Sequence, residues 1–142
     1  MVLVIDDDRD SSEALADFLS FKGYVVQCVN NANDAFVFVD NTHDRPALIF
    51  LDLVMPVLDG WGFLAERVKY PLLADVPVVV LSACSDVVQK AKEAGAVAVV
   101  RKPAEPQSLL QVIEQFGQHI SSRKLRVLPI REGSGRLQVT RP

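Results

Sequence analysis

The chain has 142 residues, the length of one domain and enough to bury a sizeable core. Apolar residues make up 49% of it, which argues against disorder, and no apolar run is long enough to cross a bilayer. The net charge of −3 hides an asymmetry: residues 1–120 carry 9 Lys/Arg against 17 Asp/Glu, whereas residues 121–142 carry six basic residues against Glu132 alone. Met1 leads almost directly into an apolar run, so no signal peptide is expected and the expected compartment is the cytoplasm. Two cysteines, Cys28 and Cys84, are too few and too far apart for a disulfide framework or a zinc site.

Taken in chain order, short apolar runs alternate with amphipathic stretches five times. The pattern predicts an α/β fold: a doubly wound, five-stranded parallel sheet of flavodoxin-like type, in the order 2-1-3-4-5, with helices on both faces. Strand one is Val2 to Ile5. Ser11 or Ser12 is the expected cap of a first helix whose inward residues are Ala14, Leu15, Phe18 and Leu19, and Gly23 stops it. Strand two spans Tyr24 to Val29. The second helix runs from about Asn33 to Asp40 with Ala35, Phe36 and Val39 inward. Strand three ends at Leu51, and a third helix starts near Gly60 and carries Phe63, Leu64 and Val68. Pro71 and Pro77 bracket the loop before strand four. A short fourth helix covers about Asp86 to Ala94, strand five is Val97 to Val100, and Pro106 suits the first turn of a last helix with Leu109, Val112, Ile113 and Phe116 as its stripe.

Each of four strand patterns leads into a chemically competent residue. Asp6-Asp7-Asp8 follow strand one. Asp52 follows Ala47-Leu48-Ile49-Phe50-Leu51 and opens Asp-Leu-Val-Met-Pro-Val-Leu-Asp-Gly. Ser82 follows Val78-Val79-Val80-Leu81, and Lys102-Pro103 follow strand five. In a parallel sheet the strand C-termini share one edge, where ligands bind. These four motifs, in this order over roughly residues 1–120, resemble a response regulator receiver domain, the module that a histidine kinase phosphorylates on aspartate. Family members often have a cis peptide at the equivalent Lys-Pro bond.

The resemblance implies named roles. Asp6, Asp7 and Asp52 would form a carboxylate cluster, costly unless a cation neutralises it, and an all-oxygen donor set favours Mg²⁺. Asp7 and Asp52 are expected to ligate directly, the Val54 carbonyl to be a third ligand, and Asp6 to act through water. Asp52 is the expected nucleophile, Lys102 the second neutralising charge, and Ser82 a hydroxyl for a phosphoryl oxygen. Bland readings stand beside these: the acidic run could merely cap the first helix, as Asp8 is expected to do, and Lys102 could be an ordinary surface lysine. His43 and His119 are expected to be solvated, Cys84 to be a small buried residue, and Trp61 to sit half-exposed at the site's rim.

Two features depart from the family pattern. Val99 stands three before Lys102, where many receivers carry an aromatic residue that turns inward on activation, and the fourth helix looks short. Residues 121–142 are expected to form a basic tail or linker able to fold as a β-hairpin around Gly133-Ser134-Gly135, and are too few for a DNA-binding domain. The expected partners are a sensor histidine kinase or phosphotransfer protein and an unnamed downstream protein, with no membrane; the oligomeric state, up to a weak dimer, stays open. A chain of this kind catalyses only its own phosphorylation and dephosphorylation. The alternatives are a degenerate receiver used as a binding scaffold and a haloacid-dehalogenase-type phosphohydrolase, which would need a second acid where Val54 stands.

Overall fold

A computed structural model describes residues 1–55, 57–117, 127–129 and 137–139. Five parallel strands form one sheet in the order β2-β1-β3-β4-β5. They are β1 Val2–Ile5, β2 Val26–Val29, β3 Leu48–Asp52, β4 Val78–Ser82 and β5 Ala98–Arg101. The helices between them are α1 Arg9–Phe21, α2 Ala32–Thr42, α3 Gly60–Glu66, α4 Val88–Glu93 and α5 Pro106–Phe116. The expected order and sheet type are therefore those observed, with each strand–helix–strand crossover joining parallel strands as the topology requires.

Side chains on a strand alternate between faces, so each strand feeds two cores. Val2, Val4, Leu48, Phe50, Val79 and Leu81 pack against α1 and α5 through Leu15, Leu19, Leu109 and Ile113. Leu3, Ile5, Ile49, Leu51, Val78 and Val80 pack on the other side against Ala35, Phe36 and Val39 of α2, Phe63 and Leu64 of α3, and Ala91 of α4. Burial on both faces explains why β1, β3 and β4 read as unbroken apolar runs. On the second face Phe36 stacks between Phe63 and Tyr70, with centroid separations of 5.3 and 4.2 Å.

Several local expectations need correction. The cap of α1 is Asp8, as expected from the acidic run, and not Ser11 or Ser12: the Asp8 carboxylate accepts from Ser11 N, while Ser12 lies buried inside the helix. An aspartate one turn earlier meets the same orphan N–H groups and adds a favourable charge at the helix's positive end. Tyr24 and Val25 precede β2, although the Val25 carbonyl already accepts from Val2 N. Val68 is exposed, because the chain leaves α3 at Glu66 and tightens into a 3₁₀ turn over Arg67–Lys69. A second 3₁₀ turn, Ser85–Val87, precedes the six-residue α4. In the C-terminal segment, β6 Val127–Pro129 and β7 Leu137–Val139 pair antiparallel, with Leu128 opposite Gln138. The Gly133-Ser134-Gly135 turn expected between them and His119 lie outside the described residues.

Candidate functional site

The strands deliver the predicted residues to one edge. Asp6 and Asp7 follow β1, Asp52 is the last residue of β3, Ser82 the last of β4, and Lys102 follows β5. Asp6, Asp7 and Asp52 each present a carboxylate oxygen within 4.8 Å of the other two. Lys102 Nζ lies 3.4 Å from Asp6 Oδ2 and 3.6 Å from Asp52 Oδ1. The site thus holds three carboxylates against one ammonium.

Burial differs sharply among the three acids. Asp6 is 1% exposed and Asp52 8%, whereas Asp7 is open to solvent. Both Asp6 oxygens are engaged, one by the Asp8 N–H at 2.9 Å and one by Lys102. Asp52 accepts from Val54 N at 3.2 Å. Burial pushes the Asp52 carboxyl up from 3.8 to about 6, and the neighbouring Asp6 pushes the same way; Lys102 and the Val54 N–H pull it down without cancelling that cost. A pocket of oxygens with surplus negative charge suits a small hard cation. The fit to Mg²⁺ rests on that donor set: the exposed carboxylate of Asp7 beside the buried carboxylates of Asp6 and Asp52.

Backbone contacts hold the surrounding loops. Gly60 N donates to the Leu53 carbonyl at 2.9 Å, and a Cβ on Gly60 would stand 2.7 Å from both the Asp52 carbonyl oxygen and Leu53 Cα. Only glycine lets α3 start this close to the end of β3, which explains the Asp59-Gly60 step in the sequence; Asp59 caps the helix through Gly62 N. Ser82 Oγ accepts from Cys84 N at 3.1 Å, so the hydroxyl shapes the loop after β4. Lys102 N donates to the Ser82 carbonyl at 2.8 Å, and the Lys102–Pro103 peptide is cis. Val54 is 81% exposed on the loop leaving β3.

Other sequence candidates fall as follows. His43 is exposed at the end of α2, in left-handed conformation. Cys84, expected to be buried, is exposed, because the loop after Ser82 turns outward into the Ser85–Val87 turn. Val99 is half-buried against the α2–α4 core. Trp61 is half-buried near the site, and Lys90 of α4 lies 4.5 Å from its ring centroid, a cation–π pair that links α3 to α4. Arg67 was missed altogether. It is buried, with Nη1 donating to the Leu73, Ala74 and Val76 carbonyls and Nη2 to that of Gly95. It ties the loop before β4 to the turn before β5. No sequence signal distinguishes it from a solvated arginine.

Residues 2–114 match the response regulator receiver domain family. The chain belongs to that family. This receiver therefore serves two-component signalling. It is 33% identical over 131 residues to a probable transcriptional regulator ycf27 of Cyanidium caldarium, an alignment covering 90% of this chain and 50% of the relative. It is 36% identical over 111 residues to the response regulator MprA of Mycobacterium leprae, covering 77% of this chain and 47% of that protein. The receiver spans about half the length of these curated relatives. Among solved structures, the receiver domain of NtrX from Brucella abortus superposes with a TM-score of 0.72 at 29% identity, covering 83% of this chain and 98% of that one. Among the described residues, no helix is long and apolar enough to cross a membrane.

Proposed function

We propose that Asp52 is the phosphoacceptor, taking a phosphoryl group from the phosphohistidine of a sensor histidine kinase or phosphotransfer protein in a Mg²⁺-dependent reaction. The observation that carries this reading is the convergence of Asp6, Asp7 and Asp52 within 4.8 Å, with the Lys102 ammonium 3.6 Å from Asp52. In the step, an Asp52 carboxylate oxygen forms a bond to phosphorus while the bond from phosphorus to the donor nitrogen breaks, and the nitrogen keeps that electron pair. Asp7, Asp52 and the Val54 carbonyl would hold the metal directly and Asp6 through water, which suits the engagement of both Asp6 oxygens. Bound there, Mg²⁺ supplies neutralisation of the phosphoryl oxygens. Lys102 supplies a second positive charge as the pair of carboxylates it now serves is disturbed, and Ser82 turns its hydroxyl from the Cys84 N–H toward a phosphoryl oxygen.

On this reading residues 1–120 are the receiver domain and residues 121–142 a basic tail or linker, acting in the cytoplasm. The chain catalyses only its own phosphorylation and dephosphorylation, and phosphorylation switches binding to a downstream protein. Val99 and the short α4 direct the response through Ala83, Cys84 and Ser85 rather than through an aromatic rotamer. Incubation with a small phosphodonor, with and without Mg²⁺, tests this reading. One labile phosphoryl group per chain is expected, only with Mg²⁺. Rapid turnover of the donor with no phosphorylated chain accumulating would indicate a phosphohydrolase instead, and no uptake at all a binding scaffold.

A further inference from the structure

Two arms of the carboxylate site are joined a second time outside it. One arm is β3, ending at Asp52, with α3 fastened to it: Gly60 N donates to the Leu53 carbonyl at 2.9 Å, and Trp61 follows Gly60. The other is β4, ending at Ser82, whose loop leads through the Ser85–Val87 turn into α4. Lys90 of α4 sets its ammonium 4.5 Å from the Trp61 ring centroid and so bridges the two arms. Among the described residues Lys90 takes part in no ion pair, and its charge faces the indole. Helix α4 is held unevenly. Its C-terminal end is pinned: Ala96 N donates to the Ala91 carbonyl at 2.9 Å, and Arg67 Nη2 to the Gly95 carbonyl at 3.3 Å. Ala91 is its one buried residue. At the other end, neither α4 nor the turn before it has a side-chain cap, and Val87 is only partly buried. Two contacts steady that end: the Cys84 N–H bond to Ser82 Oγ at 3.1 Å, and the Lys90–Trp61 pair. A short helix pinned at one end and lightly held at the other can pivot.

We propose that the Lys90–Trp61 pair is a latch: it holds α4 against α3 while Asp52 is unmodified, and it opens when Ser82 turns its hydroxyl to a phosphoryl oxygen. The inference rests on the reading of Asp52 as the phosphoacceptor and names a contact that regulates that site. Once the Ser82 hydroxyl turns, the Cys84 N–H loses its acceptor, and the loop is free to swing about the pinned end of α4. The swing carries Lys90 away from a ring that does not follow. Trp61 stays because α3 starts tight against β3, where a Cβ on Gly60 would stand 2.7 Å from the Asp52 carbonyl oxygen. A solvent-exposed cation–π pair shifts an equilibrium of this kind by about two- to fivefold. By linkage, a chain whose latch is already open binds a phosphoryl mimic at Asp52 more tightly by up to the same factor.

Beryllofluoride with Mg²⁺ serves as the phosphoryl mimic on the full chain, with bound fluoride read by ¹⁹F NMR and the loop by the amide shifts of Cys84 to Val87. In Lys90→Met and in Trp61→Leu, without the mimic, these amides are expected to move part of the way along the line from the free to the mimic-bound wild-type positions. The beryllofluoride concentration at half-saturation is expected to fall about two- to fivefold in both variants. Lys90→Arg, which keeps a cation over the ring, should match wild type in both measurements. If the mimic binds but Lys90→Met leaves the loop amides or the half-saturation point where wild type has them, the latch is overturned and the Asp52 reading stands. Wild-type loop amides that stay in place on binding have the same meaning. Absence of bound fluoride in wild type with Mg²⁺ overturns the Asp52 reading, and the latch with it.

Discussion

Asp52→Asn should stabilise the metal-free protein at neutral pH, although it removes the proposed acceptor. The folded state holds the Asp52 carboxyl at about 6 rather than 3.8, chiefly through burial. At about 1.4 kcal/mol per pH unit, ionising it in the fold costs about 3 kcal/mol relative to the unfolded chain. The sign follows from proton counts. Below pH 3.8 both states hold the proton and there is no cost. Between 3.8 and about 6 the folded state keeps a proton that the unfolded chain has released, so stability falls as pH rises. Above that window the whole cost is present. Asparagine never ionises, so the variant lacks this cost, and acids remote from residue 52 act alike in both proteins and cancel in the difference. Urea unfolding followed by far-UV circular dichroism, in buffer free of divalent metal, should show the variant level with wild type near about pH 4 and more stable by about 1–3 kcal/mol near about pH 7.5. A variant that is no more stable than wild type at the higher pH would show that burial does not strain this carboxylate.

Arg67→Met should cost about 3 kcal/mol or more, since it removes the side-chain donor shared by the carbonyls of Leu73, Ala74, Val76 and Gly95, of which Leu73 keeps only its bond from Val76 N; a urea midpoint close to wild type would contradict this. Gly60→Ala should lose about 1–3 kcal/mol, because the added methyl meets backbone atoms of Asp52 and Leu53 that cannot rotate aside, and unchanged stability would mean that α3 re-seats freely. Lys102→Ala should leave the fold intact and move the Asp52 titration, read by carboxyl ¹³C NMR, above about 6, since the ammonium is the main influence lowering it; an unmoved midpoint would place the lysine outside the site's electrostatics.

The sheet and the site edge were legible because both follow from short-range patterns. Four apolar runs bounded by polar residues fix strands buried on both faces, and parallel order then brings Asp6, Asp52, Ser82 and Lys102 to one edge whatever the loops do. Boundaries were less legible. The sequence offers Asp8 and the Ser11-Ser12 pair alike as caps of α1, and only the folded chain shows Asp8 taking the role. Val68 keeps the helical spacing of α3 but falls in a 3₁₀ turn, a change set by tertiary packing around Arg67. The buried Arg67 and the Lys90–Trp61 pair depend on segments distant in sequence, which periodicity cannot register. Spacing alone does not separate Asp6 from Asp7, to which only the family resemblance gives different roles; their separation into an exposed carboxylate and one locked by Lys102 and the Asp8 N–H belongs to the folded site.

The most direct test of the central claim is to locate the phosphoryl group. Treating the phosphodonor-loaded, Mg²⁺-containing protein with borohydride reduces an aspartyl phosphate to homoserine, and peptide mass spectrometry then reads the position. The account predicts homoserine at residue 52 and nowhere else, with none formed when Mg²⁺ is withheld. Reduction at Asp6, Asp7 or another acid, or a loaded protein with Asp52 unreduced, would contradict it.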